Sequence, residues 1–182
     1  MRNKVEPIRD LENLKRMKEE LLKQNYRDYL LFDIGVNTGF RVSDILRLKV
    51  KDVKNKTHIE IIEKKTKKHK RALINDKLRK NIDTYIKDMK DEEYLFQSRK
   101  GTNKPISTTQ AYRVLKKAAK KIGLENIGTH SMRKSFGYHH YQRNKDVALL
   151  QELFNHSSPS VTLKYIGINQ DVKDHSMKNF YI

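Results

Sequence analysis

His130 and Arg133 are three residues apart, so a helix at this point of the chain would present both side chains on one face. An imidazole and a guanidinium on one face can meet the same phosphate group, because both are donors suited to anionic oxygens. Phosphoryl transfer without a metal needs such cationic donors, a nucleophile, and a group that protonates the leaving oxygen. Taken alone, this pair is a weak signal for that chemistry.

Three further segments carry residues of the same chemical types. They are Thr38-Gly39-Phe40-Arg41-Val42-Ser43-Asp44, Leu153-Phe154-Asn155-His156-Ser157-Ser158 and Thr162-Leu163-Lys164-Tyr165. In this order and spacing, the four segments resemble the motifs of the tyrosine recombinases of the phage integrase family, which are T-G-x-R-x-S-[DE], then H-x-x-R, then L-x-H-S-S leading to a tyrosine. The resemblance covers most of residues 25–170, and four linked motifs rarely coincide by chance.

The resemblance implies a catalytic set of six residues, which are Arg41, Lys65, His130, Arg133, His156 and Tyr165. The two arginines would clamp the scissile phosphate, the first histidine would assist proton transfer, and the second would donate a hydrogen bond to the phosphate. The tyrosine would attack and form a transient 3′-phosphotyrosyl bond. A hairpin lysine, best matched by Lys65, would protonate the departing 5′ oxygen.

The chemistry of a phenol agrees with these implied roles. A phenol of pKa about 10 is a poor nucleophile at neutral pH, so Tyr165 needs two arginines and imidazole nearby. The energy of the phosphodiester bond would be kept in the phosphotyrosine, and a second strand's 5′-hydroxyl could reverse the step. We therefore expect no metal, ATP or other cofactor.

The net charge of the chain indicates a polyanionic partner. Forty Lys and Arg residues against 22 Asp and Glu give a formal charge of +18, spread along all 182 residues. We expect the partner to be double-stranded DNA, and the resemblance implies self-association on DNA in a tetrameric synapse by a chain that is monomeric when free. A further group of basic residues is expected to contact DNA from the same hairpin: Lys64, Lys67, Lys68, Lys70 and Arg71.

Other features narrow the class of protein. The chain has no cysteine, which excludes a disulfide framework and a thiolate zinc site. No apolar run approaches the length of a membrane-spanning helix, and the N-terminus lacks the apolar stretch of a signal peptide. The sequence therefore predicts a cytoplasmic protein without a membrane partner.

Apolar spacing predicts the elements that would position these residues. It favours helices over 10–24, 26–34, 41–48, 78–89, 111–122, 130–141, 146–154 and 158–165, with a final short helix after Asn169. Asp10 is a possible cap of the first helix, Gly39 ends the second, Arg41 would lie at the N-terminal edge of the third, and Ser158-Pro159 would start the eighth. Strand-like runs at 59–62 and 71–74 predict a hairpin with a basic tip, and Tyr94-Leu95-Phe96 is a candidate third strand. The fold class is mainly α with a small antiparallel β-sheet (α+β), which is the tyrosine recombinase catalytic-domain fold that the resemblance implies.

The expected domain organisation is simple. Residues 1–24 would be an N-terminal helical extension or linker remnant, and residues 25–182 the catalytic domain, with 169–182 docking in cis or in trans. We expect no separate core-binding domain of the kind that usually closes a clamp around DNA in this family. Two residues depart from the family's pattern: Asn155 stands where glycine is usual, and Phe40 where a smaller aliphatic residue is common.

Two alternatives remain open at this point. Asp52 with Glu63-Lys64-Lys65 imitates the D-x(n)-E-x-K pattern of metal-dependent nucleases, which would require Mg²⁺. A relative that binds recombination sites and regulates them without cutting is the second alternative, although every catalytic residue type is present. Asp44 is interpreted as structural, either orienting Arg41 or capping a helix.

Overall fold

The computed structural model describes residues 5–168, 177, 178, 180 and 181. The helices of this part are α1 (Leu11–Gln24), α2 (Tyr26–Thr38), α3 (Val42–Ile45), α4 (Asp76–Ile86), α5 (Thr108–Lys121), α6 (Thr129–Asn144), α7 (Val147–Phe154) and α8 (Pro159–Ile166). Two strands, β1 (His58–Ile62) and β2 (His69–Leu73), form an antiparallel hairpin. The predicted class, mainly α with a small antiparallel sheet, is confirmed.

Polar side chains start most of these helices. Asp10 accepts a hydrogen bond from the N–H of Glu12 at 2.6 Å, as the predicted cap of α1. Ser158 caps α8 by accepting from the N–H of Val161 at 3.3 Å, and Pro159 follows as the first helical residue. Because these caps are local in sequence, the starts of the two helices could be predicted from the residues alone.

The turn between α2 and α3 depends on a glycine. Gly39 has φ of +66°, in the left-handed region, and a Cβ built there would lie 2.4 Å from Cδ1 of Phe136. Any other residue would therefore face both backbone strain and a clash. The turn brings Arg41 to the N-terminal edge of α3, as predicted.

Two predictions about secondary structure were wrong. The helix expected over residues 41–48 ends at Ile45, because the N–H groups of Arg47 and Leu48 bond to carbonyls three residues back and form a tighter turn. Lys49 then forms an isolated β-bridge with Tyr94. The third strand at Tyr94-Leu95-Phe96 is absent from the described sheet, which has two strands. The N–H of Leu95 bonds the carbonyl of Leu48 at 2.9 Å, so this segment packs on the turn after α3 and not on the hairpin.

Three clusters of buried apolar residues hold the elements together. The first joins α2, the hairpin and α4, and the second joins α1, α2, α5 and α6. The third joins α6 to α7 and α8 through Leu150, Phe154 and Ile166. Gly137 permits this contact, because a Cβ there would lie 2.6 Å from Ile166 and 2.7 Å from Phe154. Helix α6 thus links the central core to the two short helices near the C-terminus.

The described helices also bear on the expectations for the two ends of the chain. Helix α1 places Met17 and Leu21 in the second cluster, so it packs within the common core, while the domain boundaries themselves stay predictions. The helix expected after Asn169 begins outside the described residues. In the part of the chain that is described, no helix has both the length and the apolar character to span a membrane.

Candidate active site

Arg133 is almost fully buried and ties two elements together. Its Nη1 donates to the carbonyl of Gly39 at 2.5 Å, and its Nη2 donates to the carbonyl of Phe154 at 3.0 Å. Its guanidinium carbon also lies 4.2 Å from the centre of the Phe154 ring. The turn before α3 and the end of α7 therefore fix the orientation of this arginine.

Arg41 is held from the hairpin. Its Nη1 forms an ion pair with Oε1 of Glu63, whose side chain is 0% exposed. Glu63 Oε2 accepts a hydrogen bond from the hydroxyl of Thr66 at 2.5 Å, and Nζ of Lys70 lies 3.9 Å from Oε1. The two arginines thus reach the same region from α3 and α6, each with a fixed partner.

Asp44 is structural, as interpreted, but its partner differs from the one considered. Its Oδ1 accepts a hydrogen bond from the backbone N–H of Lys64 at 2.9 Å, which fastens the hairpin turn to α3. The carboxylate that holds Arg41 is that of Glu63. Sequence reasoning placed Glu63 only in the nuclease-like pattern, since contacts between residues 22 positions apart leave no local signal.

His156 and Tyr165 lie against each other near Arg133. Their ring centres are 5.1 Å apart with planes at 69°, and both rings contact Phe154 edge to face. Burial raises the pKa of Tyr165 above its usual value, while the positive charges of Arg133 and Arg41 act in the opposite direction. The phenol is therefore protonated at neutral pH, with two guanidinium groups near enough to stabilise its anion.

The hydrogen bonds of His156 define its neutral form. The Thr162 hydroxyl donates to the carbonyl of Ser158 at 3.2 Å, so its oxygen is left to accept from Nδ1 of His156 at 3.1 Å. Nε2 then carries the lone pair of the neutral ring. Burial, together with the charges of Arg133, Arg41 and Lys70, lowers the pKa of His156 to about 4. This ring is therefore neutral in the free chain.

His130 stands on the first turn of α6, three residues before Arg133. The residue is exposed to solvent, although neighbouring groups partly cover its ring. Desolvation by the surrounding protein lowers its pKa, and the positive charges of Arg133, Lys134, Arg41 and Lys65 lower it further. It is therefore a neutral imidazole able to accept a proton at neutral pH.

The hairpin lysines fall into two groups. Lys65 lies exposed in the turn between the strands, together with Lys64 and Lys67. Lys68 Nζ donates to Oδ1 of Asn155 at 2.6 Å, and Lys70 Nζ donates to the carbonyl of Leu153. Burial has the largest effect on Lys70 and lowers its pKa to about 8, while the negative charge of Glu63 acts to raise it. Thus Lys68 and Lys70 dock the hairpin on the end of α7, while Arg71 is exposed on β2.

The two departures from the family's pattern both fit the structure. Asn155 ends α7 with φ of 54° and ψ of 49°, a left-handed conformation that asparagine tolerates better than most residues and that glycine adopts freely. Phe40 is 3% exposed and belongs to the first core cluster. Neither departure displaces a predicted catalytic side chain.

The carboxylates of the nuclease-like pattern have other partners. Asp52 Oδ2 accepts from the N–H of Lys49 at 2.8 Å and so caps a short 3-10 turn. Glu63 is paired with Arg41. Within the described ranges, no group of three or more histidine, aspartate or glutamate side chains could hold a metal ion. Both carboxylates of the nuclease-like pattern are thus engaged by other groups of the chain.

Comparison with known proteins shows the family. The sequence profile of the phage integrase family matches residues 9–171. The chain is 54% identical over 176 residues to a Bacillus subtilis (strain 168) protein named probable integrase/recombinase YoeC, covering 97% of both chains. It is 31% identical over 160 residues to the tyrosine recombinase XerA of Pyrococcus furiosus, covering 86% of this chain and 56% of that protein.

A solved structure with the same fold is that of the XerH site-specific recombinase bound to difH substrate in a pre-cleavage complex. It superposes with a TM-score of 0.73 at 23% identity, covering 98% of this chain and 55% of XerH. The chain thus spans nearly all of the Bacillus relative but only about half the length of XerA and XerH. The chain belongs to the phage integrase family, and its class is that of the tyrosine recombinases, enzymes that break and rejoin DNA strands.

Proposed function

We propose that this chain cuts and rejoins DNA at specific sites through a 3′-phosphotyrosyl bond to Tyr165, without metal or ATP. The observation that carries the proposal is the meeting of two oriented guanidinium groups and a neutral imidazole beside one phenol. Both arginine charges act on Tyr165, and its ring lies 5.1 Å from that of His156. The two guanidinium groups supply charge stabilisation that a pentacoordinate phosphorane needs.

In the proposed first step, Tyr165 becomes bonded to the scissile phosphate. The oxygen of Tyr165 attacks the scissile phosphorus, the bond to the 5′ oxygen breaks, and the phosphate stays joined to the 3′ side of the nick. His130 takes up the phenolic proton, and Lys65 gives a proton to the departing 5′ oxygen. Attack by the 5′-hydroxyl of a second strand reverses these transfers and rejoins the DNA.

Arg41 and Arg133 bind the non-bridging oxygens throughout both steps. His156 donates to one of these oxygens in its protonated form, because Nε2 of the neutral ring has no proton to give. The approach of the anionic phosphate favours that protonation by offsetting the surrounding positive charge.

The positive charge of the chain supports proposals for how it contacts DNA and for how its copies associate. The exposed basic residues of the hairpin contact the phosphates on either side of the cut: Lys64, Lys67, Lys68 and Arg71, with the half-buried Lys70 behind them. The free chain is monomeric in the cytoplasm, because copies that each carry +18 repel one another, and DNA allows them to assemble by neutralising that charge. Sedimentation with and without DNA tests this assembly.

A nicked suicide duplex tests the proposal against the non-cleaving alternative. When the short 5′ fragment diffuses away, religation fails and the covalent complex accumulates, so a denaturing gel should show protein joined to DNA. EDTA should leave the yield unchanged. A shifted band on a native gel without any covalent product would support a regulator that binds without cutting.

A further inference from the structure

Glu63 is a buried carboxylate in the middle of the proposed site, and none of the implied catalytic roles uses it. It follows β1 directly, and its side chain is 0% exposed. A buried carboxylate is costly unless it is paired and hydrogen-bonded. Here Arg41 and Lys70 lie at one oxygen, and the Thr66 hydroxyl donates to the other.

The backbone around Glu63 is fixed as firmly as its side chain. Its N–H donates to the carbonyl of Lys68 at 2.9 Å, and its carbonyl accepts from the N–H of Lys67 at 2.9 Å. These two bonds close the hairpin turn that also carries Lys65. The backbone of Glu63 therefore cannot move away when DNA arrives without opening the turn.

Two functions are compatible with an anion bound to Arg41. The carboxylate could occupy the place of the phosphate and block the free site, or it could hold Arg41 in the direction that the phosphate requires. A guanidinium has five N–H donors, and Glu63 engages it at Nη1. The Arg41 side chain remains 21% exposed, so part of it is open to a ligand. Burial of the acid and exposure of the arginine favour the second function.

We propose that Glu63 is a positioning residue, which holds Arg41 of α3 and the Lys65 turn in a fixed relation for the scissile phosphate. This inference rests on the proposed function. Glu63 acts through Arg41 and never touches DNA. The negative charge of Glu63 also lowers the positive potential of the site. The same residue therefore speeds cleavage by positioning Arg41 and slightly weakens the binding of DNA.

Glu63→Gln separates these two effects, because it keeps the shape of the side chain and removes its charge. On the suicide duplex at saturating DNA, we expect single-turnover formation of the covalent complex to slow on the order of 10- to 100-fold, as when other ligand-orienting partners are lost. The Kd for DNA should stay equal or fall. Glu63→Asp, which restores the charge on a shorter arm, should recover part of the rate.

The chain offers a matched control on β1, three residues before Glu63. Glu60 is exposed and pairs with His69 at 3.1 Å, so Glu60→Gln removes an equal charge without touching Arg41. It should cleave at the wild-type rate. Thr66→Val serves if Glu63→Gln unfolds, because it removes the 2.5 Å hydrogen bond to Oε2 and otherwise loses only the long 3.4 Å bond from the N–H of Lys68. It should slow cleavage with the Kd unchanged.

These experiments distinguish failure of the proposed function from failure of the positioning role of Glu63. If the wild-type chain forms no covalent complex, the proposed function fails first. If the wild type reacts and a folded Glu63→Gln variant reacts equally fast, Glu63 does not position Arg41. If Glu63→Gln does not fold, a Thr66→Val variant that reacts as fast as the wild type leads to the same conclusion. Faster reaction of Glu63→Gln would show instead that the carboxylate blocks the site.

Discussion

His156 and Tyr165 lie ring to ring, with centres 5.1 Å apart, although they come from different elements. His156 is in the turn between α7 and α8, whereas Tyr165 is in the last turn of α8. Phe154 lies against both rings and packs beneath the guanidinium of Arg133. One buried aromatic side chain thus supports the histidine, the tyrosine and one arginine of the proposed site.

The first prediction concerns the proton on His156. Its pKa is about 4 in the free chain because of burial and of nearby positive charge. A phosphate accepting from Nε2 should raise that pKa, so binding takes up a proton and affinity increases as pH falls through the pKa of the complex. Histidine NMR titration of Tyr165→Phe, free and bound to an uncleaved duplex, checks the shift. A His156 pKa that remains near 4 in the complex would exclude donation to the phosphate.

The second prediction concerns the stability of the Arg41–Glu63 pair. Arg41→Ala leaves a fully buried carboxylate without its main partner, so unfolding free energy should fall by about 3 kcal/mol. Adding Glu63→Gln should restore much of that loss, because the uncompensated charge is gone. Urea denaturation followed by circular dichroism measures both.

The control for this pair is Arg71→Ala on the exposed side of β2. It should change unfolding free energy by no more than about 0.5 kcal/mol. Equal stability of Arg41→Ala and the double variant would mean that the uncompensated charge of Glu63 is not the cause of the loss in Arg41→Ala.

The third prediction identifies the lysine that protonates the leaving oxygen. Lys65→Ala should slow cleavage of an ordinary duplex, and a 5′-bridging sulfur should remove most of the defect, because a thiolate leaves without a general acid. Lys70 provides the competing outcome, since its pKa is lowered to about 8 and its Nζ lies 3.9 Å from Glu63. Rescue of Lys70→Ala and not of Lys65→Ala would move the role to Lys70.

The fourth prediction concerns salt. A chain that presents one face to DNA and neutralises about six phosphates should show a slope of log K against log salt near −5. Replacing the exposed Lys64 and Lys67 with Gln should reduce the slope by about 2. Fluorescence anisotropy across a salt series measures it.

Lys51→Gln is the control for the salt series. Lys51 pairs with Glu92 at 2.7 Å, so its charge is already offset and the slope should not change. A slope of equal size in the Lys64 and Lys67 variant would mean that the hairpin tip does not contact phosphates.

The sequence predicted the features that depend on local chemistry. Caps such as Asp10 and Ser158, and the left-handed Gly39, located helix ends because their effect is confined to one turn. Linked motifs predicted the six candidate residues. The charges of Arg41 and Arg133 act on Tyr165, His156 and His130 alike, and that of Lys65 acts on His130, so all six share one electrostatic neighbourhood.

Contacts between residues far apart in the chain could not be predicted from the sequence. Nothing local shows that Glu63 pairs with Arg41, or that Lys68 reaches Asn155 across 87 positions. The short apolar run Tyr94-Leu95-Phe96 predicts a strand, but a buried segment outside a sheet has the same pattern of residues. Its backbone bonds to the turn after α3 instead.

The most direct test of the central claim is to locate the phosphate on the protein. After reaction with a nicked suicide duplex, nuclease and protease digestion followed by mass spectrometry should find nucleotide-phosphate on the peptide that contains Tyr165. Tyr165→Phe should bind DNA and form no adduct, whereas Tyr141→Phe, which alters another tyrosine packed on the same core cluster, should react normally. An adduct that persists in Tyr165→Phe, or cleavage that leaves no protein on the DNA and stops in EDTA, would contradict the phosphotyrosine mechanism.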